Sequence, residues 1–260
     1  MAFDSNYASF YNLLYQDKDY AQEAAYVDRL ISKQTAFAKP IRLLDLACGT
    51  GNHAFLLQDL GYEVNGSDIS ADMIEVASHR AEEMNSPVRF FNYSFQESHQ
   101  IKQKYQVIIS MFSAINYLTT YQDLAKTLNN IHGLLEDDGI FIFDYWNGNA
   151  VTRDYSPLKH LHKTKGADVI ERTSRTSLDL INQIAEVEFT CIYAKDGVKQ
   201  LEFQELHRMR YFYFKELEDL LKANGFKIVY RSNFLNDQAQ LDAFDWNITI
   251  IVQKNQKNEN

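Results

Sequence analysis

Residues 43–53 read Leu-Leu-Asp-Leu-Ala-Cys-Gly-Thr-Gly-Asn-His, and the apolar run that follows closes on an acid, Asp68. Few folds accommodate that order. The run 41–46 is apolar except for Arg42 and Asp45, as suits a strand buried on both faces of a parallel sheet. It stops at a Gly-x-Gly turn, and residues 52–60 continue with helix-compatible side chains. A turn without side chains between strand and helix lets a ligand lie against backbone N–H groups. Residues 62–67 form the next short strand, and Asp68 at its end is placed to accept hydrogen bonds from the two hydroxyls of a ribose. The pattern predicts a nucleoside crevice at the carboxyl ends of parallel strands.

The identity of the nucleoside turns on Asp45. A dinucleotide fingerprint asks for G-x-G-x-x-G, and here the third glycine is replaced in Gly49-Thr50-Gly51-Asn52-His53-Ala54. Phosphate binding gives no reason to put a carboxylate inside the strand four residues before Gly49, whereas a cationic ligand does. The string Asp45-Leu46-Ala47-Cys48-Gly49-Thr50-Gly51 resembles the first motif of the class I S-adenosylmethionine (SAM) methyltransferases. Asp68-Ile69-Ser70 with Met73-Ile74 and Ala77 is similar to their next motif. The resemblance implies SAM as cofactor, held by Asp45, Gly49, Thr50, Gly51, Asp68, Ile69 and Met73. It also implies a seven-stranded Rossmann-like α/β sheet whose last strand is reversed. A Rossmann domain for another nucleotide keeps the glycines but leaves Asp45 unexplained.

Length and charge narrow the partners. At 260 residues and 45% hydrophobic, the chain suits one large domain, or one domain with an insert. A net charge of −9 argues against a phosphate-backbone partner, and residues 159–165 form the one short basic patch. No apolar run reaches membrane-spanning length and the N-terminus has no signal-peptide pattern. Cys48 and Cys191 have neither metal nor redox spacing, so no metal is expected and a reducing cytoplasm fits.

Along the chain, Tyr7, Phe10, Tyr11, Leu14 and Tyr15 recur on one helical face, and residues 20–37 continue as a second helix. Strands at 41–47, 62–67, 87–93, 105–111 and 138–145 then alternate with helices at 51–60, 70–84 and 119–135, which predicts a parallel sheet covered on both faces. After Tyr145 the period changes to two. Residues 169–178, 184–194 and 198–212 read as an antiparallel meander with turns at 179–182 and 195–197. A helix at 214–223 follows, then strands 226–233 and 246–253 as an edge hairpin. The division expected is a cofactor core at 1–145 plus 213–254, with a helical cap at 4–38. An antiparallel β insert at 146–212 serves as substrate lid, and 255–260 form a disordered tail. Long insert strands with exposed edges also suit a homodimer.

The resemblance extends beyond the cofactor motifs. Phe10-Tyr11-Asn12-Leu13-Leu14-Tyr15, Asp17-Lys18-Asp19-Tyr20 and Ser110-Met111-Phe112-Ser113-Ala114-Ile115-Asn116-Tyr117 are similar to segments of the N-methyltransferases of nucleotide-linked deoxyaminosugars. That implies Met111 and Phe112 near the cofactor, while Tyr11 and Tyr20, whose aromatic faces attract a sulfonium, are expected to close over its methionine end. One departure stands out. Ser94 occupies the place of the acid that bonds the adenine amino group in the family, while the neighbouring Phe95 keeps the apolar contact to the ring. A hydroxyl accepts from that amine more weakly than a carboxylate does.

Methyl transfer from a sulfonium is an in-line displacement, so the protein mainly aligns the partners and excludes water. An amine nucleophile needs only to be neutral, while an alcohol profits from a general base. Glu205, His207 and Met209 share one face of a strand returning to the core, with Glu205 able to orient His207 as a neutral acceptor. The alternative for this stretch is a solvated ladder of charges. Tyr15 and His132 are lesser base candidates, and His132 fits a packing role better. Tyr15, Asn116, Tyr117, Trp146 and Asn147 are expected to line the acceptor site. The function expected is methylation of N or O on a small molecule, a sugar or sugar nucleotide. N-methylation of a small amine or amino acid and a non-catalytic SAM-binding protein are the alternatives. Nucleic-acid methylation would need a basic face and an Asn/Asp-Pro-Pro-aromatic motif that Ser110-Met111-Phe112-Ser113 does not supply.

Overall fold

A side-chain cap sets where the second helix begins. The computed structural model of the chain describes residues 5–237 and 240–255. Residue 4 of the expected cap and residues 256–260 of the expected tail lie outside the described residues. Helix α1 spans Ser5–Leu14 and α2 spans Tyr20–Gln34, where the Asp19 carboxylate accepts from Gln22 N at 2.8 Å. Strand β1 (Arg42–Leu46), helix α3 (Asn52–Asp59), strand β2 (Glu63–Ser67), helix α4 (Ala71–Glu83) and strand β3 (Arg89–Phe91) build one half of a parallel sheet. The Ser70 hydroxyl caps α4 by accepting from Met73 N. The chain then returns to the other side of β1 with β4 (Tyr105–Ser110), α5 (Tyr121–Leu134) and β5 (Leu135–Trp146).

The next stretch forms a separate antiparallel sheet. Helix α6 (Gly148–Asp154) leads into β6 (Leu158–Lys165), β7 (Asp168–Asp179), β8 (Ile184–Lys195) and β9 (Val198–Arg210), paired in that order. Helix α7 (Phe214–Ala223) returns to the first sheet, which β10 (Phe226–Asn233) and β11 (Asn247–Lys254) complete. The strand order is β10-β11-β5-β4-β1-β2-β3, with β11 antiparallel to both neighbours. The seven-stranded sheet with a reversed last strand, and the added antiparallel sheet, are as expected.

Three details differ from the sequence reading. Helix α6 and strand β6 were not expected as elements. A seven-residue helix is too short to show a period, and its start is set by Asn147, whose side-chain oxygen accepts from Asn149 N. β6 is the basic patch itself, mostly exposed and paired through its backbone to β7. Lysines suit such an edge because their charge discourages further strand pairing. The final hairpin does not sit whole at the edge: β11 lies inside, between β5 and β10. The apolar run Ile248-Thr249-Ile250-Ile251-Val252 is buried on both faces, as an interior strand requires. Asn255, expected in the tail, donates its N–H to Gly225 O at 2.7 Å.

Alternate side chains of the central strands face opposite helical layers. Leu43, Val107, Ile109, Ile142 and Ile251 pack with α2 and α3 through Tyr26, Leu30 and Phe55. Leu44, Ile108, Phe141, Phe143 and Ile250 pack with α5 and α7 through Leu128, Ile131, Leu217 and Leu221. Helix α1 instead covers the second sheet, its Phe10 ring 4.4 Å from that of Tyr193. The sharpest local constraint is at Gly51, the residue before α3, with φ +81°. A Cβ there would stand 2.8 Å from the Phe90 ring and 2.9 Å from the Phe55 ring. Left-handed backbone and this overlap together should cost about 1–3 kcal/mol for Gly51→Ala, lowering the thermal midpoint by roughly 3–10 °C. Thermal unfolding followed by circular dichroism checks this, and an unchanged midpoint would contradict the close packing.

Candidate active site

The carboxyl ends of β1, β2 and β4 open into a cavity of about 730 Å³. On its floor Gly49 has φ +54° and open space where a Cβ would project, so a ligand can approach the backbone there. The Asp68 carboxylate accepts from Gly49 N and from Ser70 N, both at 2.9 Å, and still lines the cavity. Burial pushes this carboxyl up, and the backbone donors only partly oppose it. Asp45 is 1% exposed, with Oδ2 lacking a hydrogen-bond partner. Burial drives its carboxyl up to about 7, with His53 opposing and Asp68 adding to the rise. Two buried acids beside one cavity form a receptor for positive charge.

Thr50 and Gly51 of the same loop do not reach the cavity. Thr50 turns away and its hydroxyl donates to Asn12 Oδ1 of α1 at 2.9 Å. The open side of Gly51 faces Phe90 and Phe55. Both therefore shape the loop from behind. Arg80 on α4 holds it further, donating to Thr50 O and to Asn52 Oδ1.

Ile69, Met73, Ser94 and Phe95 line the cavity. The Ser94 hydroxyl donates to Glu97 at 2.6 Å, which leaves its oxygen as an acceptor toward the cavity. On the β4 side the chain turns through Phe112 and Ser113, both left-handed at φ 61° and 56°. The fully buried Asp144 carboxylate holds this corner, accepting from Ser113 N at 3.0 Å and from its hydroxyl at 2.8 Å. Met111 and Phe112 thereby face the cavity.

The N-terminal helices close one side with Tyr7, Tyr11, Tyr15 and Tyr20. A buried chain of charges ties them to the cofactor loop. Glu23 bonds Lys18 and lies 2.7 Å from His53 Nε2. Burial alone would raise the Glu23 carboxyl, but His53 and Lys18 together bring it below its ordinary value. The Lys18 ammonium also sits 4.3 Å over the Phe112 ring.

The second sheet forms the opposite wall. Its register sets Val187 beside His207, Phe189 beside Glu205 and Ala185 beside Met209, so these share the inward face. The expectation that Glu205, His207 and Met209 share one face holds, and all three are buried. His207 is 2% exposed, with Nδ1 2.7 Å from the Tyr117 hydroxyl and Nε2 3.9 Å from Glu205. Burial, and secondarily Arg172, lower its imidazole to about 4. His207, Tyr117, Tyr15 and Trp146 all line the cavity, whereas Glu205 lies behind the wall.

Two expected acceptor residues are diverted. Asn116 donates to Arg210 O at 2.7 Å and accepts from Trp146 N, tying the β4 corner to β9 and β5. Asn147 caps α6 and donates to Ala243 O and Asp245 O. Their amides satisfy backbone groups instead of facing the cavity. The half-buried His132 packs edge-on against the buried Phe226, as a packing residue. Residues passed over by the sequence reading also line the wall, among them Tyr7, His53, Val187 and Phe189. The inward period of β8 carried a signal for Val187 and Phe189, but none for their distance from the glycine loop.

The family described as "Methyltransferase domain" matches residues 43–139. A dTDP-3-amino-3,4,6-trideoxy-alpha-D-glucopyranose N,N-dimethyltransferase of Streptomyces venezuelae is 27% identical over 238 residues, 88% of this chain and 93% of that protein. A dTDP-3-amino-3,6-dideoxy-alpha-D-glucopyranose N,N-dimethyltransferase of Streptomyces fradiae is 26% identical over 224 residues, covering 85% and 84%. In fold, the chain superposes on a SAM-dependent methyltransferase from Clostridium acetobutylicum with a TM-score of 0.81 at 18% identity, covering 96% and 98%.

The raised Asp45 carboxyl makes a pH-dependent prediction. The folded chain keeps this proton between about pH 4 and 7, where the unfolded chain gives it up. The native state binds more protons across that window, so Asp45 lowers stability as pH rises through it. Asp45→Asn should therefore raise the melting temperature of the ligand-free protein at pH 8 by roughly 6–15 °C, with no gain at pH 4. Calorimetric melting at both pH values tests this, and an equal gain at both would show that Asp45 does not titrate.

Proposed function

We infer that this chain, a class I SAM-dependent methyltransferase, methylates a nitrogen or oxygen of a small molecule and that its acceptor is a sugar or sugar nucleotide. The observation that carries the reading is the single cavity that joins the two halves of such a reaction. Asp45, Gly49 and Asp68 stand at one side, and an aromatic wall from the second sheet with His207 and Tyr117 stands at the other. The residues suit the cofactor: a strand-end carboxylate for ribose hydroxyls, an open glycine for close approach, buried acids and tyrosine faces for a cation. The volume lies within the roughly 300–1,000 Å³ usual for small-molecule sites.

When bound, SAM supplies an electrophilic methyl on a sulfonium. The chain's own contribution is alignment and dryness. Tyr7, Tyr11, Tyr15 and Tyr20 exclude water from one side, and Val187, Phe189 and Met209 from the other. His207 stays neutral in the working range, able to take part in hydrogen bonds without carrying charge. The sugar-nucleotide acceptor rests on the activities for which the Streptomyces relatives are named. A second reading, a small amine or amino acid, is favoured by one feature: among the described residues no Lys or Arg lines the cavity, so nothing cationic there meets a diphosphate. On the sugar-nucleotide reading, the nucleotide therefore stays outside the cavity.

A methyl-transfer screen against dTDP-linked aminosugars and small amines, read by a mass gain of one or two methyl groups, separates the acceptor classes. For the cofactor, loss of a charged hydrogen-bond acceptor worth about 1.5–3 kcal/mol means that Asp68→Ala should weaken SAM binding roughly 10- to 100-fold. Isothermal calorimetry showing unchanged affinity would remove Asp68 from the cofactor site.

A further inference from the structure

We propose that the Tyr117 hydroxyl oxygen is the atom that accepts the N–H of an amine acceptor, with His207 and Glu205 acting behind it as positioning residues. The proposal rests on the methyl-transfer reading above and deepens it, because it names the contacting group and selects nitrogen over oxygen as nucleophile.

The geometry separates the two candidates. The His207 imidazole is enclosed: Nδ1 meets Tyr117 at 2.7 Å, Nε2 faces Glu205 at 3.9 Å, and the rings of Phe189 and Tyr7 pack at 4.5 and 5.7 Å. It is 2% exposed, whereas Tyr117 is only half-buried and lines the same cavity. Burial raises the Tyr117 phenol well above its ordinary value and lowers the imidazole, so both rings are neutral, and the Glu205 carboxyl 3.9 Å from Nε2 favours the tautomer with its proton on that atom, leaving Nδ1 as the acceptor. Tyr117 thus donates to Nδ1. A phenol oxygen that donates one hydrogen bond can also accept one, and donation to a good acceptor strengthens its own accepting power.

The inner face of the second sheet argues against an alcohol. Arg172 and Glu205 both belong to that face, since Arg172 pairs with Cys191 and Phe203 across the strands, and Glu205 with Phe189 and Ser174. Arg172 also donates to the Tyr15 hydroxyl at 3.0 Å, which in turn meets Tyr7 at 3.0 Å. A half-buried guanidinium acting on His207 disfavours an imidazolium, so the imidazole is ill suited to taking an alcohol's proton. A neutral amine needs no such step. Its lone pair forms the N–C bond as the C–S bond breaks and that electron pair passes to sulfur. Positive charge moves onto nitrogen, and its N–H becomes a stronger donor to Tyr117 than in the ground state. That increment accelerates the step. The surplus proton leaves with the product ammonium and is lost to water.

The test uses the full chain with two probes: dTDP-3-amino-3,6-dideoxy-α-D-glucopyranose and its counterpart with hydroxyl in place of the amine. The amine should be methylated and the hydroxyl counterpart not. Tyr117→Phe should lower kcat by about 10- to 100-fold with KM little changed. His207→Gln, which retains an acceptor for the phenol, should lose less than about 10-fold. SAM affinity by calorimetry should be unchanged in both, showing the site intact. Independently of turnover, nitrogen-15 NMR of the ligand-free protein at pH 7 should find His207 neutral, with Nδ1 unprotonated and its resonance displaced in Tyr117→Phe. Faster methylation of the hydroxyl probe, a larger loss in His207→Gln than in Tyr117→Phe, or an Nδ1 signal indifferent to Tyr117 would overturn the proposal. A wild-type chain that binds SAM but methylates neither probe would refute the sugar-nucleotide reading, leaving the Tyr117–His207 arrangement to be judged by the NMR signal.

Discussion

The crevice exists because the chain reverses direction across the sheet after β3. Strands β1, β2 and β3 step outward one way, with α3 and α4 on one face, and β4 then returns to the far side of β1 with α5 on the other face. Connections on opposite faces leave the carboxyl ends of β1 and β4 with no crossover between them. The ligand-facing groups of the core hang on that gap: the Gly49 loop after β1, Asp68 after β2, Phe112 after β4 and Trp146 at the end of β5. The second sheet departs from β5, and it returns by a parallel bridge between Asn147 and Phe212. Leaving and re-entering at one place, it has little choice but to stand over the same opening.

Electrostatics divide the cavity into two unlike halves. On the core side, Asp45 and Asp68 are buried and, among the described residues, no basic side chain is bonded to either carboxylate, at a cost in solvation that a bound cation would offset. On the second-sheet side, Arg172 and Glu205 share one face and His207 is held neutral. A third group, Lys18 with Glu23 and His53, balances its charges internally while locking the helical cap to the glycine loop. The contrast fits a reaction in which positive charge starts at one side and moves toward the other.

Much of the core was legible because its determinants are local. A strand, a glycine turn and a helix are encoded within about twenty residues, and their order constrains the sheet. Asp68 illustrates this: its position at a strand end is enough to send its carboxylate back to the Gly49 amide. The period-two pattern of β9 likewise assigned Glu205, His207 and Met209 to one face before any fold was known. Short or polar elements escaped the same reading. Helix α6 has too few residues for a period, and β6 has too few apolar ones.

The sequence alone determined the alternation of strand and helix, the glycine turn, the terminal acid and the inward face of β9, because each depends on neighbours a few residues away. Only the tertiary structure decided which side chains share the cavity. Asn116 and Asn147 have the right chemistry and stand beside the right strands, yet backbone groups of Arg210, Ala243 and Asp245 claim them. Gly51 belongs to the right motif, yet its open side faces Phe90 and Phe55. Tyr7 reads as one more apolar position of α1, yet it stands against His207, two hundred residues later in the chain. Unsatisfied amides and aromatic faces pair with whatever packing brings near, and that is a property of the assembled layers, not of local sequence.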